Sequence, residues 1–389
     1  MKELTGQDII CVSTVDWEPL WTRKQQIMSR LPASNRILYI EPPQSFIAHL
    51  KDPGLRDTVS HCGQPAQRLQ DNLWRYKPRR VIPFASRYPG INPLNQRRLA
   101  AEIQAQADLI GMKNPIIWTY NHTSCDLFAQ LRHQLLIYDC VDEHGAYAGF
   151  NAGLVRGMEK RLVEAADVTF CTARGLYEVR QAWAREIWLS PNAADVEHFS
   201  RADTAEIVVA PELRELPHPV LGFIGALKEW IDLDLFAAAA TAFPEGSVVI
   251  VGPVGAGLDV SELKKYPNLH FLGRKSKDDL PSYLAGMDVC LNPFRQDELT
   301  ASVSPLKFYE YLASGRPVAS VPMPELAEFD DIVEFGAGPQ GFVQAIRRAL
   351  EDSSRKKQAR LERSKENSWE SRTNFMMEKI AAHLAGVHV

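Results

Sequence analysis

Short apolar runs rich in β-branched residues alternate along this chain with longer stretches whose apolar positions recur every three to four residues. The runs predict strands at 9–13, 36–41, 116–120, 135–139, 168–172 and 186–190, then at 220–225, 247–252, 269–273, 288–292 and 317–321. The longer stretches predict helices at 20–31, 95–110, 125–131, 154–165 and 173–184, then at 233–242, 277–285, 305–313, 341–351 and 368–384. Residues 45–88 show no dominant period and carry no predicted element. Strand–helix alternation is the pattern of parallel sheets, whose crossovers are helices and whose strands are covered on both faces. The fold class is therefore α/β, built from Rossmann-like, doubly wound parallel sheets.

The pattern occurs twice. Between its two halves lies the aperiodic stretch 196–219, which holds Pro211, Pro217 and Pro219 and reads as a linker. The length, 389 residues, agrees, because a single core stops growing at roughly 250–300 residues. The expected division is 1–200, 201–366 and a final helical segment 367–389. Ligands of such sheets bind beyond the carboxyl ends of the strands, so the chemistry is expected there.

Charge and composition narrow the class. A formal net charge of −4 argues against a nucleic-acid partner. None of the six cysteines forms a Cys-x-x-Cys pair, and four sit in strand-like runs, as reduced core thiols do. No stretch reaches the ~18–20 apolar residues of a membrane span. The first residues lack a cationic start followed by an apolar block, so a cytoplasmic protein is expected.

The densest motif runs Ser304-Pro305-Leu306-Lys307-Phe308-Tyr309-Glu310-Tyr311-Leu312-Ala313-Ser314-Gly315-Arg316-Pro317-Val318. Ser304 reads as an N-cap, Pro305 as the first helical residue and Gly315 as the helix stop. Lys307 in the first turn, with free backbone N–H groups, would converge on an anion such as a diphosphate. Glu310, three residues on, shares its face and would accept hydrogen bonds from ribose or sugar hydroxyls. The same spacing also suits a plain Lys–Glu helical pair.

This block resembles the corresponding helix of GT-B glycosyltransferases of the group 1 kind. Their pattern is Glu-x7-Glu with a Gly-Lys/Arg-Pro-Val tail. The second glutamate maps onto Glu310 and the tail is intact, but Ser302 stands in the place of the first glutamate. That departure weakens a retaining mechanism and tips the expectation toward inversion. Bacterial transferases of exopolysaccharide and teichuronic-acid pathways are similar in layout. Three more pieces follow in family order. The strand at 220–225 ends at Gly225 with Lys228 beyond it, and the strand at 247–252 ends at Gly252. Arg274 follows the third, beside the expected nucleotide base, and Asn292 closes the fourth. The resemblance implies two domains facing across a cleft. Donor contacts would come from Gly225, Lys228, Gly252, Arg274, Asn292, Ser304, Lys307 and Glu310.

It also implies that the first domain binds the acceptor and supplies any base. Asp139, Cys140, Val141, Asp142, Glu143 and His144 follow one strand closely, and three carboxylates there could hold a general base. Asp142 is the preferred candidate, with Asp139 and Glu143 behind it. Each could equally cap a following helix. His122 falls where relatives carry a histidine near the transferred sugar. Asp16, Trp21 and Arg23 follow the first strand on the acceptor side. Neither a metal-ligand spacing nor another cofactor motif is present, so helix starts and basic side chains are expected to hold the diphosphate without a metal.

Arg79, Arg80, Arg87, Arg97 and Arg98, interleaved with Phe84 and Tyr88, could dock on anionic lipid heads. That would suit a lipid-linked acceptor. Two other readings stay open: a non-catalytic relative that scaffolds a synthesis complex, which Ser302 favours, and a nucleotide-sugar 2-epimerase of the same architecture.

Overall fold

The computed structural model describes residues 4–19, 21–47, 62–147 and 149–386. The chain forms two compact units, residues 1–191 with 373–389, and residues 192–372.

The first unit holds an eight-stranded sheet: β1 (Asp8–Val12), β2 (Arg36–Ile40), β3 (Gln67–Gln70), β4 (Leu73–Tyr76), β5 (Ile116–Thr119), β6 (Leu135–Cys140), β7 (Val168–Cys171) and β8 (Ile187–Leu189). Their order is β3-β4-β2-β1-β5-β6-β7-β8. Every pairing is parallel except β3 with β4. The β1, β5 and β6 residues are buried without alternation, because helices cover both faces. The second unit holds a six-stranded, all-parallel sheet: β9 (Val220–Ile224), β10 (Ser247–Val251), β11 (Leu269–Gly273), β12 (Val289–Asn292), β13 (Val318–Ser320) and β14 (Glu334–Phe335). Its order is β11-β10-β9-β12-β13-β14.

In each sheet the strand order reverses beside the first strand, between β1 and β5 and between β9 and β12. At such a switch point the two flanking crossovers leave on opposite faces and open a crevice at the carboxyl ends.

Differences from the sequence reading have local causes. Leu20 of the expected first helix lies outside the described residues, and the helix itself is Arg23–Met28. Residues 122–130 form 3-10 turns rather than an α-helix. There Asn121 Oδ1 accepts from Thr123 N at 3.0 Å, and Ser124 Oγ pairs with Thr119 Oγ1 at 2.8 Å. Such local bonds compete with the α-helical ladder. The stretch 196–219 is packed, not an open linker: it carries helices Val196–Ser200 and Pro211–Arg214, with Phe199 and Leu213 buried. Helix Trp369–Leu384 begins in the second unit and ends in the first, where Met376 and Ile380 are buried.

Candidate active site

In the first unit the candidate residues gather at the carboxyl ends of β1, β5 and β6, around the switch point. The helix Arg23–Met28 opens with a capping box, Thr22 with Gln25, and all six of its residues are buried. Burial of so polar a helix demands partners, and Arg23 has them. Its Nε donates to both oxygens of Asp139 at 3.1 and 2.9 Å, and Nη2 donates to Ser190 Oγ at 3.0 Å. Arg23 and Asp139 thus form a buried structural pair. This corrects the expectation of Asp139 as a reserve base and of Arg23 as an acceptor contact, since neither presents a free group. Glu143 is likewise engaged, accepting from Arg180 Nη2 at 2.8 Å beside buried Glu159.

Asp142 is different. Its carboxylate is half-buried and makes no hydrogen bond or ion pair with the described residues. Lys24, 7% exposed, sits 5.3 Å from the centre of the Tyr120 ring. Burial pushes the Lys24 pKa down, while Asp142 and Asp139 oppose the shift. Beside them the His122 and His144 rings lie 4.9 Å apart. His122 Nε2 meets Ser86 Oγ at 3.0 Å, whereas Nδ1 of both histidines and the Tyr120 hydroxyl are buried without a partner. Burial, with His144 adding to it, drives the His122 pKa down to about 3. Burial also lowers that of His144. The crevice therefore holds two neutral imidazoles and an unengaged carboxylate, beside buried polar atoms that have no protein partner.

Asp16 and Trp21 lie further along the same edge. Asp16 is exposed and pairs with Lys77. Trp21 packs edge-on against Trp17 at 5.8 Å. Lys24, Tyr120, His144 and Ser86 were not singled out from sequence. His144 stood within the quoted strand-end run and Lys24 directly follows Arg23, but Ser86 lay where no period was visible.

In the second unit β9 and β10 end side by side on Gly225 and Gly252, with φ of 158° and 154°. A Cβ on Gly252 would lie 1.9 Å from Gly225 O. The missing side chains let the two backbones pack directly on each other, and Gly225 N donates to Val251 O at 2.9 Å. Lys228 and Arg274 make no ion pair with the described residues; Lys228 is half-buried and Arg274 exposed. Lys307 and Glu310 form an ion pair at 2.6 Å on helix Leu306–Ala313. Glu310 is nearly buried there, and Lys307 reaches outward.

Two donor-side expectations need correction. Ser304 is not an N-cap, because Pro305 takes that position with extended backbone. The Ser304 hydroxyl instead accepts from Asn192 N at 3.0 Å. Asn292 is buried and gives its amide to Ser320 Oγ at 2.9 Å, so it braces β12 against β13.

Comparison with known proteins follows the same lines. Residues 218–352 match the family model described as Glycosyl transferases group 1. The putative teichuronic acid biosynthesis glycosyltransferase TuaH of Bacillus subtilis (strain 168) is 29% identical over 233 residues, which cover 55% of this chain and 58% of that protein. The match thus spans less than two thirds of that relative. Sucrose-phosphate synthase from Thermosynechococcus elongatus superposes with a TM-score of 0.69 at 14% identity, covering 98% of this chain and 100% of that one. HepE from Anabaena, solved with UDP, gives 0.65 at 13% identity, covering 97% and 100%. A UDP-forming α,α-trehalose-phosphate synthase from Burkholderia vietnamiensis gives 0.71 at 12%, covering 100% and 99%. At these identities they establish the fold, which is GT-B. Among the described residues no helix is long and apolar enough to cross a membrane.

Proposed function

We propose that this chain, a GT-B protein with a group 1 glycosyl transferase domain, is a glycosyltransferase that moves a sugar from a nucleoside-diphosphate sugar to a saccharide or lipid-linked saccharide acceptor. The observation that carries the reading is the glycine pair, Gly225 beside Gly252, at the switch point of the second sheet. Beside it the diphosphate would meet the start of helix Leu306–Ala313 and the cations Lys228 and Lys307. Glu310 Oε2 holds Lys307, leaving Oε1 for a ribose or sugar hydroxyl. Arg274, after β11, would face the base. UDP is the favoured nucleotide, because two of the superposed relatives are named with it.

The acceptor belongs to the first unit. As the bond from the anomeric carbon to the diphosphate oxygen breaks, the acceptor hydroxyl oxygen bonds to that carbon and its proton passes to Asp142. The neutral imidazoles of His122 and His144 orient the sugar hydroxyls. Charge on the leaving diphosphate is met by protein groups, so no metal is required. The setting is polysaccharide or glycolipid assembly on the cytoplasmic face of a bacterial membrane, in keeping with the named role of TuaH.

Thermal melts with UDP, GDP, ADP and dTDP, each with and without Mg²⁺, test this. One nucleotide should raise Tm without Mg²⁺, since a ligand at 100 times its Kd adds about 2.7 kcal/mol. Lys307→Ala should weaken that nucleotide roughly ten- to hundredfold, the worth of a charge-assisted bond. No shift with any of the four would sink the proposal, and a shift only with Mg²⁺ would sink its metal-free form.

A further inference from the structure

A cavity of about 510 Å³ opens in the first unit, and nothing in the reaction above uses it. Its lining includes Asp16, Glu18, Glu41, Gln67, Arg75 and Lys77. Asp16 follows β1, Glu41 follows β2 and Lys77 follows β4, so the cavity sits on the carboxyl edge of the sheet. Arg75 and Gln67 face each other across β4 and β3.

Of the two cations in this cavity, Lys77 is ion-paired and Arg75 is hydrogen-bonded to a neutral amide. Lys77 Nζ contacts the Asp16 carboxylate and lies 4.0 Å from Glu41 Oε2. Arg75 donates Nε and Nη2 to Gln67 Oε1 at 3.0 and 2.7 Å. Glu41 Oε1 accepts from Trp17 N at 2.9 Å, which ties the floor to the backbone. Three carboxylates against two cations leave the lining with a formal charge of −1. A phosphate or a uronate entering here would face a net negative lining in which Lys77 is already ion-paired and Arg75 is the one cation without a carboxylate partner among the described residues. A neutral polyol would find carboxylate oxygens to accept its hydroxyl protons, and amides that both donate and accept.

Position adds a length. The sheet runs β4-β2-β1-β5-β6, with the cavity over the first three strand ends and His122 and Asp142 after the last two. At ~4.8 Å per strand, two to three spacings make roughly 10–15 Å. That exceeds one sugar ring and suits a short oligosaccharide.

We propose that this cavity is a distal acceptor subsite for a neutral, hydroxyl-bearing sugar unit, set back along the acceptor from the reacting hydroxyl. It selects acceptors that are neutral and several units long. The inference rests on the glycosyl-transfer reading.

The test uses the full chain on a glycan array of neutral and uronate-containing oligosaccharides, one to five units long, with hits followed by calorimetry. Neutral oligosaccharides longer than two units should bind and uronates should not. Asp16→Asn and, separately, Gln67→Ala should each weaken the neutral hit by about tenfold. Gln67 is an exposed edge residue, so its variant reads the site even if Asp16→Asn folds poorly. A preference for uronates, no neutral ligand at all, or unchanged affinity in Gln67→Ala would overturn the subsite. UDP melts on the same preparation separate the two readings. Nucleotide binding without glycan binding retires the subsite alone, whereas loss of both retires the transferase reading with it.

Discussion

His122 shows how burial, with a like neighbour, sets a residue's state. Its ring is packed against His144, only Nε2 has a partner, and its pKa falls to about 3 from an ordinary 6.5. Between those values the unfolded chain binds a proton that the folded chain does not. Stability contributed by neutral His122 is therefore complete above pH 6.5 and is lost as pH falls toward 3. At pH 5 the loss is about 2 kcal/mol, at about 1.4 kcal/mol per unit. Urea midpoints at pH 7 and pH 5 should lie closer together in His122→Gln than in the parent. Equal separation would show that the ring is solvated and titrates normally. The acidic run at 139–143 makes a related point. Its density at a strand end was legible and Asp142 was its preferred member, but the partners that engage the other two were not. Asp139 meets Arg23 across 116 residues of sequence, and Glu143 meets Arg180, which leaves Asp142 unengaged.

Among the elements, the strand–turn pairs ending at Gly225 and Gly252 were legible because a strand stopping on glycine is a local pattern. That the two glycines abut was not, since it depends on β9 pairing with β10. Gly252→Ala would drive a methyl into Gly225 O at a positive φ. Overpacking of this kind costs about 1–3 kcal/mol. It should lower Tm and weaken nucleotide binding together, by denaturant titration and by melts with UDP. A stable variant that binds UDP as the parent does would move the phosphate site elsewhere. Helix Ser354–Glu366 escaped the sequence reading for a different reason. Its buried face carries Arg360 and Ser364 instead of an apolar stripe. Arg360 is held by Gly315 O, Ile332 O and Asp352, contacts that hydropathy does not record. Strands β3 and β4 were hidden in turn by their four-residue lengths and the exposed polar side chains of β3.

For the whole molecule, charge placement matters more than net charge. The chain is −4 overall, yet residues 78–98 hold Arg79, Arg80, Arg87, Arg97 and Arg98 and no acid. Phe84, Tyr88 and Leu94 in the same stretch are about half exposed, at 47%, 50% and 51%. Cations among exposed apolar groups suit an anionic bilayer, at about 1 kcal/mol per charge. Cosedimentation with phosphatidylglycerol vesicles should exceed that with phosphatidylcholine and fade with salt. The Arg97→Glu/Arg98→Glu double variant should bind at least tenfold more weakly. Equal binding to both lipids, or no loss in the variant, would remove the membrane from the account.

Periodicity and turn residues determine the α/β class, the two sheets and the glycine-ended strands, because hydrophobic spacing and backbone preference act over a few residues. Tertiary structure decides what those positions face. It buries the Arg23–Asp139 pair, engages Glu143 and leaves Asp142 open. It turns Ser304 and Asn292 into braces and gathers Asp16, Glu41 and Lys77 around one cavity. Each outcome depends on a partner distant in sequence, and burial makes that partner the main determinant of a polar group's charge and reach.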